Sequence, residues 1–458
     1  MTDLPRFPGD FIFGTSTASY QIEGAVHADG RGLSIWDVFC AQPGHILDGS
    51  TGAVACDHYH RVDEDVALMK GLGVGGYRFS IAWARIQPTG SGPVNSAGVD
   101  FYSRLVDTLL EVGIEPMATL YHWDLPQDLE NLGGWLNRDI VDRFAEYAAI
   151  MGEALGDRVG KWCPINEPNV VTMLGYAMGI HAPGKKLMFD ALPATHHLNL
   201  AHGRAVQALR AAGAKQVGTA TNHIPIWPLS DDQDDRDAAA LYDDLWNRMH
   251  ADPMLLGHYP GDFGALLPVQ DGDMETIKQP LDFYGLNYYN PMRIGAAGKQ
   301  ADVAGSGIAG NTAEGMTSIS DMPFTIHPIE GRGHTGFGWP IVPEGLTELL
   351  VQMKERYPEI PRMYVTENGC AYPDVVADGH VDDPDRVAYY DLHLRAVADA
   401  IEQGVDVGGY YAWSLLDNFE WAEGYTQRFG LVYVDFDTLE RIPKSSYEWY
   451  RGLIEANA

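Results

Sequence analysis

Gly98-Val99-Asp100-Phe101-Tyr102-Ser103-Arg104-Leu105-Val106-Asp107-Thr108-Leu109-Leu110-Glu111-Val112-Gly113-Ile114-Glu115-Pro116-Met117-Ala118-Thr119-Leu120 is the stretch on which the fold turns. Phe101, Leu105, Leu109 and Val112 recur at helical spacing, Gly113 closes the helix, and a short apolar run follows. The same order recurs on both sides. Residues 61–72 end at Gly73, before Gly76-Tyr77-Arg78-Phe79-Ser80. Residues 138–155 follow Asn137, a residue type suited to an N-cap, and end at Gly156, before Gly160-Lys161-Trp162-Cys163-Pro164-Ile165-Asn166. Residues 196–212 end at Gly213, before Val217-Gly218-Thr219-Ala220-Thr221-Asn222, and residues 385–403 end at Gly404, before Gly409-Tyr410-Tyr411-Ala412-Trp413. Leu281–Asn287 and Met363–Thr366 are further strand candidates, the second after a helical stretch at 344–356, and Phe11–Thr15 is an eighth. Eight strands alternating with helices predict an α/β protein, a closed (β/α)8 barrel; a doubly wound open sheet is the alternative. The reading takes residues 1–458 as a single catalytic domain. A typical barrel has about 250 residues, so the surplus belongs in long loops, most clearly 295–323.

The chain has 458 residues, 45% of them hydrophobic and 21% charged, which suits a large buried core. A formal net charge of −32 opposes binding to nucleic acid or to an anionic membrane, because phosphate recognition needs clustered Lys and Arg. The sequence shows no signal peptide and no long apolar span. Cys40, Cys56, Cys163 and Cys370 are far apart and form no C-x-x-C pair, which argues against a disulfide framework and a structural zinc site. A reduced cytoplasm is the expected setting; the sequence says nothing of the oligomeric state.

In a barrel, catalysis sits at the C-terminal ends of the strands. Those ends carry Arg78; His122 and Trp123; Asn166 and Glu167; Asn222; Asn287 and Tyr289; Glu367 and Asn368; and Trp413. Polar groups at nearly every strand end fit a pocket for a polyhydroxylated ligand. Glu167 and Glu367 each close an apolar run, which is expensive unless the carboxylate is paired or hydrogen-bonded. At the ends of strands four and seven they would face each other obliquely, a separation suited to glycosidic chemistry. Carboxyls about 5–5.5 Å apart serve retention, and about 6.5–9.5 Å serve inversion.

Four segments, in order and spanning almost the whole chain, make the sequence resemble a family 1 glycoside hydrolase of the β-glucosidase type. They are Phe11-Ile12-Phe13-Gly14-Thr15-Ser16-Thr17-Ala18-Ser19-Tyr20-Gln21-Ile22-Glu23-Gly24; Asn166-Glu167-Pro168; Tyr364-Val365-Thr366-Glu367-Asn368-Gly369; and Trp413-Ser414-Leu415-Leu416-Asp417-Asn418-Phe419-Glu420-Trp421. Pro164 departs from the family's usual Thr. The resemblance implies a retaining β-glucosidase, with β-galactosides and β-fucosides as further candidate substrates, that takes small β-glucosides or oligosaccharides and needs no cofactor or metal. It implies Glu367 as nucleophile and Glu167 as acid/base. Arg78, Asn287 and Tyr289 are the candidate donors that keep Glu367 ionised. It further implies that Gln21, His122, Trp123, Asn166, Glu420 and Trp421 hold the sugar, that Trp413 stacks on it and that Phe429 closes the site. Trp339 would be the platform for the leaving group, with Asn222 nearby.

Relatives acting on 6-phosphosugars have Ser near position 421 and cationic or hydroxyl partners beyond it; here Trp421-Ala422-Glu423 favours a neutral glycone. Thioglucosidases of the family carry Gln where Glu167 stands. A metal hydrolase is the enzymatic rival, on the strength of His58-Tyr59-His60, but the pair precedes a helix, and His196, His197 and His202 form no H-E-x-x-H pattern. A sugar-binding protein with a dead site is the non-enzymatic rival, and it would be expected to lose one of the two carboxylates.

Overall fold

The computed structural model describes residues 4–299 and 322–458, so most of the loop expected at 295–323 lies outside the described residues. All eight expected strands form: Ile12–Ser16, Gly76–Ser80, Glu115–Tyr121, Lys161–Ile165, a fifth in two pieces, Tyr284–Asn287, Met363–Asn368 and Val407–Trp413. Neighbours run parallel, and the first strand pairs with both the second and the eighth. The fifth consists of Gln216–Val217, paired with the fourth, and Thr221–Asn222, paired with the sixth. Across its break the Gly218 N–H donates to the Trp162 carbonyl at 2.9 Å, and Ala220 bridges Asn166. The sheet therefore closes on itself into a (β/α)8 barrel.

Period-two alternation sorts the strand side chains into two cores. Met117, Cys163, Ala220, Phe283, Tyr364 and Tyr411 form a buried cluster inside the barrel. Their neighbours along the strands, such as Ala118, Trp162, Val365 and Tyr410, join the larger core under the helices. Helices Val62–Leu72, Ser96–Glu111, Ile140–Leu155, Leu192–Ala211, Pro343–Arg356 and Pro384–Glu402 stand close to the expected stretches. Gly73 and Gly113 end their helices at φ +82° and +81°, a conformation that costs glycine little.

Two local expectations are corrected. Asp139, not Asn137, stands at the N-cap of Ile140–Leu155; the Asn137 side chain instead accepts from the Asp139 N–H at 3.0 Å. The helix ends at Gly156 as expected, with that glycine right-handed at φ −63°. Arg78 lies at the middle of its strand and not at its end, whereas Glu367 and Asn368 are the last two residues of theirs. Pro164 is accommodated within the fourth strand, which keeps its pairing to the third as far as Ile165.

A second, three-stranded sheet escaped the sequence reading. Phe324–His327 pairs antiparallel with Met292–Ala296, which pairs in parallel with Ile226–Pro228. Among the described residues no helix is long and apolar enough to cross a membrane. His58 and His60 are each held by their own aspartate, Asp65 at 2.7 Å and Asp57 at 2.6 Å.

Beside the barrel lies a buried ion network. Lys444 Nζ stands 2.5 Å from Asp374 and 2.7 Å from Asp417. Asp417 also accepts from Arg428 at 2.7 Å and from the Gly430 N–H at 2.9 Å. Arg386 pairs with Asp374 at 2.8 Å and with Asp383. The network ties the segment after the eighth strand to helices Pro384–Glu402 and Ser445–Asn457. Removing one member strands buried charge, so Lys444→Met should cost about 3–5 kcal/mol. Denaturant unfolding reads this as a lower midpoint; an unchanged midpoint would show that the network bears no such strain.

Candidate active site

Strand register brings the predicted groups into one layer. Glu367 is opposite Asn287, Asn287 is opposite Asn222, and Asn166 bridges Ala220 just before Glu167. Two strands away, Arg78 is fully buried and spreads its guanidinium over four acceptors. Its Nε donates to Thr119 Oγ1 at 3.1 Å, Nη1 to the Thr366 carbonyl at 3.4 Å and to Glu367 Oε1 at 2.5 Å, and Nη2 to Asn166 Oδ1 at 2.6 Å. A buried guanidinium needs such a set of partners. Gly369 allows the seventh strand to turn tightly past the eighth, since a Cβ there would lie 1.7 Å from the Trp413 carbonyl.

The two carboxyls are treated differently. Glu367 takes one hydrogen bond from Arg78 and another, on Oε2, from the Tyr289 hydroxyl at 2.8 Å. Burial raises its pKa, while Arg78, Tyr289 and Asn287 pull it back. Glu167 has only amide donors: Asn287 Nδ2 at 2.8 Å and Asn222 Nδ2 at 3.1 Å, both on Oε1. Burial first, and then the charge of Glu367, push it up to about 8. Asn287 helps to hold Glu367 down, as expected, and its Nδ2 also donates to Glu167 and, at 3.1 Å, to Asn166. The Tyr289 phenol is driven upward by burial and by Glu367, so it keeps its proton and remains a donor.

Asn166 passes this order on. Its Oδ1 is taken by Arg78 and Asn287, so Nδ2 donates to His122 Nε2, 3.0 Å away. Burial pushes His122 far below the usual imidazole range, so the ring is neutral with its proton on Nδ1. Among the described residues that Nδ1 is buried and without a partner, as are Gln21 Oε1 and Trp339 Nε1. Native interiors leave few polar atoms in this state, so the three are ready to bond a ligand. Gln21 Nε2 donates to Asn418 Oδ1 at 3.0 Å, the Phe419 carbonyl at 2.9 Å and Glu420 at 3.3 Å. Glu420 is pushed to about 8 by burial, then by Glu367 and Glu423.

Around these groups stands an aromatic wall. His122 lies nearly parallel to Trp413 and Trp421, both 5.9 Å away. Trp123 packs on Trp421 at 4.6 Å and donates to the Asn166 carbonyl at 3.1 Å. Trp339 meets Tyr289, Phe337 and Phe429 at 5.2, 4.4 and 5.8 Å. Trp123, Glu167 and Trp421 hold φ values of +75°, +44° and +49°, and such backbone strain gathers at functional sites.

The cavity measures about 1240 Å3, counting the space open at its mouth. Glu167, Glu367, Glu420, His122, Trp123, Asn222, Tyr289, Trp339, Trp413, Trp421 and Phe429 line it. Arg78, Asn166, Asn287 and Gln21 are bonded to those residues from behind. The sequence reading missed Tyr242, Trp246 and His181, together with an apolar flank that includes Met173, Leu174, Met292, Phe324 and Ile326. Trp246 Nε1 donates to Asn222 Oδ1 at 2.9 Å. These residues come from segments beyond the strand ends, where no strand-end rule points to them.

The family model of glycosyl hydrolase family 1 matches residues 4–458. A β-glucosidase A of Acetivibrio thermocellus is 45% identical over 98% of this chain and 98% of its own. A bifunctional β-D-glucosidase/β-D-fucosidase of Bifidobacterium breve is 46% identical over 98% of each chain. The crystal structure of a psychrophilic β-glucosidase from Micrococcus antarcticus superimposes with a TM-score of 0.92 at 45% identity, covering 98% of both chains.

The electrostatic coupling of the carboxyls is testable directly. In carbon-13 NMR of labelled glutamate, Glu167 should titrate near 8. Glu367→Gln removes the neighbouring anion and should shift that midpoint downward, while burial keeps it above the ordinary carboxyl range. A midpoint unmoved by the substitution would contradict the coupling.

Proposed function

This chain belongs to glycosyl hydrolase family 1, and from that premise we propose that it is a retaining β-glucosidase releasing terminal β-D-glucosyl residues from small glycosides and oligosaccharides, with Glu367 as nucleophile and Glu167 as acid/base. The observation that carries the assignment is the unequal company of the carboxyls. Glu367 has a guanidinium and a phenol on it, whereas Glu167 has amides alone and is pushed to about 8.

Glu167 donates its proton to the glycosidic oxygen while a Glu367 oxygen attacks the anomeric carbon, and the aglycone leaves as an alcohol. The ester carries no charge, so the pKa of Glu167 falls. Its carboxylate then takes a proton from water, which attacks the anomeric carbon and frees Glu367. Two inversions give net retention. His122 Nδ1, Gln21 Oε1 and Glu420 bind glycone hydroxyls, and Trp413 underlies the ring. Hydroxyl donors on Glu420 would pull its raised pKa back toward the carboxylate form. Trp339 meets the aglycone.

The proposal extends to β-fucosides and β-galactosides, supported by the bifunctional relative, and to cellobiose as a natural substrate. It takes the chain as a single catalytic unit. It places the protein in a reducing compartment such as the cytoplasm, supported by the buried free thiols of Cys40, Cys56, Cys163 and Cys370.

Two experiments test the roles. With an aryl glucoside carrying an acidic phenol, Glu167→Ala should still form the glycosyl-enzyme and stall there, giving a burst, and azide should release it as the β-glucosyl azide. Glu367→Ala should fail with every substrate, and azide should rescue it as the α-azide. Exchanged products would reverse the assignment. Loss of a charge-assisted hydrogen bond costs about 1.5–3 kcal/mol, so Glu420→Ala should lower kcat/KM on glucosides by tens-fold. Near-unchanged kinetics in the folded variant would remove Glu420 from the glycone site.

A further inference from the structure

The amides that serve Glu167 are themselves held in place. Among the described residues Asn222 Oδ1 accepts from Trp246 Nε1 at 2.9 Å, while its Nδ2 donates to Glu167 Oε1 at 3.1 Å. An indole N–H can only donate, so it fixes which end of the Asn222 amide faces the carboxyl. Trp246 stands on the π-helical turn Asp244–Arg248, and a second such turn, Val171–Ala177, brings Met173 to the same cavity. Turns of this kind interrupt the regular ladder and are frequent at functional sites. Asn247, the next residue, ties the first turn to the backbone just past Asn222. Its Oδ1 accepts from the Ile224 N–H at 3.1 Å, and its Nδ2 donates to the Ile224 carbonyl at 2.8 Å. Asn169 Nδ2 donates to the Asn222 carbonyl at 3.0 Å. Tyr242 lies parallel to the indole, 6.0 Å away. Turn and strand end are therefore tied to each other, and the indole N–H is kept on the amide.

Resting on the reading of Glu167 as acid/base, we propose that Trp246 is a positioning residue that decides which oxygen of Glu167 carries the proton. With Asn222 and Asn287 both donating to Oε1, that oxygen is the acceptor, and the proton sits on Oε2, ready for the glycosidic oxygen. Without the indole N–H the Asn222 amide is free to turn over. Its carbonyl oxygen would then face Oε1 and draw the proton there, away from the leaving group. The same turn replaces a donor to the carboxylate by an acceptor, which favours the protonated form. Glu367, Arg78, Tyr289 and Glu420 are the charged and titratable groups that act on Glu167, and replacing Trp246 leaves all four in place.

The test replaces Trp246 in two ways: Trp246→Phe, and the benzothiophene isostere of tryptophan at the same position, which keeps the fused ring and loses only the N–H. For each, kcat/KM is measured on methyl β-D-glucoside, whose alcohol needs the proton to leave, and on 2,4-dinitrophenyl β-D-glucoside, whose phenol leaves without it. The methyl-to-dinitrophenyl ratio does not depend on the fraction of enzyme folded, and in both variants it should fall about fivefold or more. On the methyl glucoside the alkaline limb of kcat/KM follows loss of the Glu167 proton near pH 8. That limb should move to higher pH, because the acid now holds its proton more tightly. A ratio unchanged in the isostere, or a limb that stays in place, would reduce the indole to packing and overturn the proposal. Glu167→Ala, measured alongside, should lower the same ratio about a hundredfold. If it instead lowered both substrates equally, the acid/base reading itself would fall, whatever the Trp246 variants did.

Discussion

A guanidinium with no access to water sits in the barrel mouth at Arg78, and the site is organised around satisfying it. The ion cannot give up its charge, so every N–H bound must find an oxygen. Strand seven supplies the Glu367 carboxylate and the Thr366 carbonyl, strand three Thr119, and the end of strand four Asn166. Each of these is then committed. Glu367 is held by a cation, Asn166 presents its amide to His122, and the imidazole tautomer follows. One buried charge in the middle of the second strand thus sets the proton positions of groups on strands three, four and seven.

The same constraint separates two acids of one residue type. Both Glu167 and Glu367 are buried, and burial lifts both. Only Glu367 touches the cation, and its negative charge then opposes ionisation of Glu167. On the proposed assignment, acid and nucleophile are distinguished by which carboxyl Arg78 reaches. Away from this polar layer the cavity becomes apolar and is lined by Met, Phe, Ile and Trp side chains.

Much of this was legible in the chain. The helix–Gly–strand alternation located five of the eight strands and short apolar runs the other three, because buried parallel strands are apolar runs and helix ends favour glycine. The candidate site was legible because a barrel places its chemistry at strand ends, so Asn166, Glu167, Asn222, Asn287, Glu367 and Trp413 could be read by position. Arg78 was read as a strand-end donor although it stands mid-strand, and it reaches the layer through the length of its side chain. Asn287 was read as a donor to Glu367 alone, and its service to Glu167 was missed, since a sequence position does not say which way an amide points. Trp246 and the methionine flank left no trace, for they come from π-turns and a three-stranded sheet without strand-end position or charge to mark them.

The central claim is that Glu367 forms the covalent bond to the sugar. A 2-deoxy-2-fluoroglucoside with a highly activated leaving group slows both steps by disfavouring the oxocarbenium-like transition state, and the leaving group restores the first, so the intermediate accumulates. Mass spectrometry of a digest should find one fluoroglucosyl group on the peptide containing Glu367, and fragmentation should place it on that side chain. A label on Glu167, or turnover with no labelled peptide and full inactivation absent, would contradict the account.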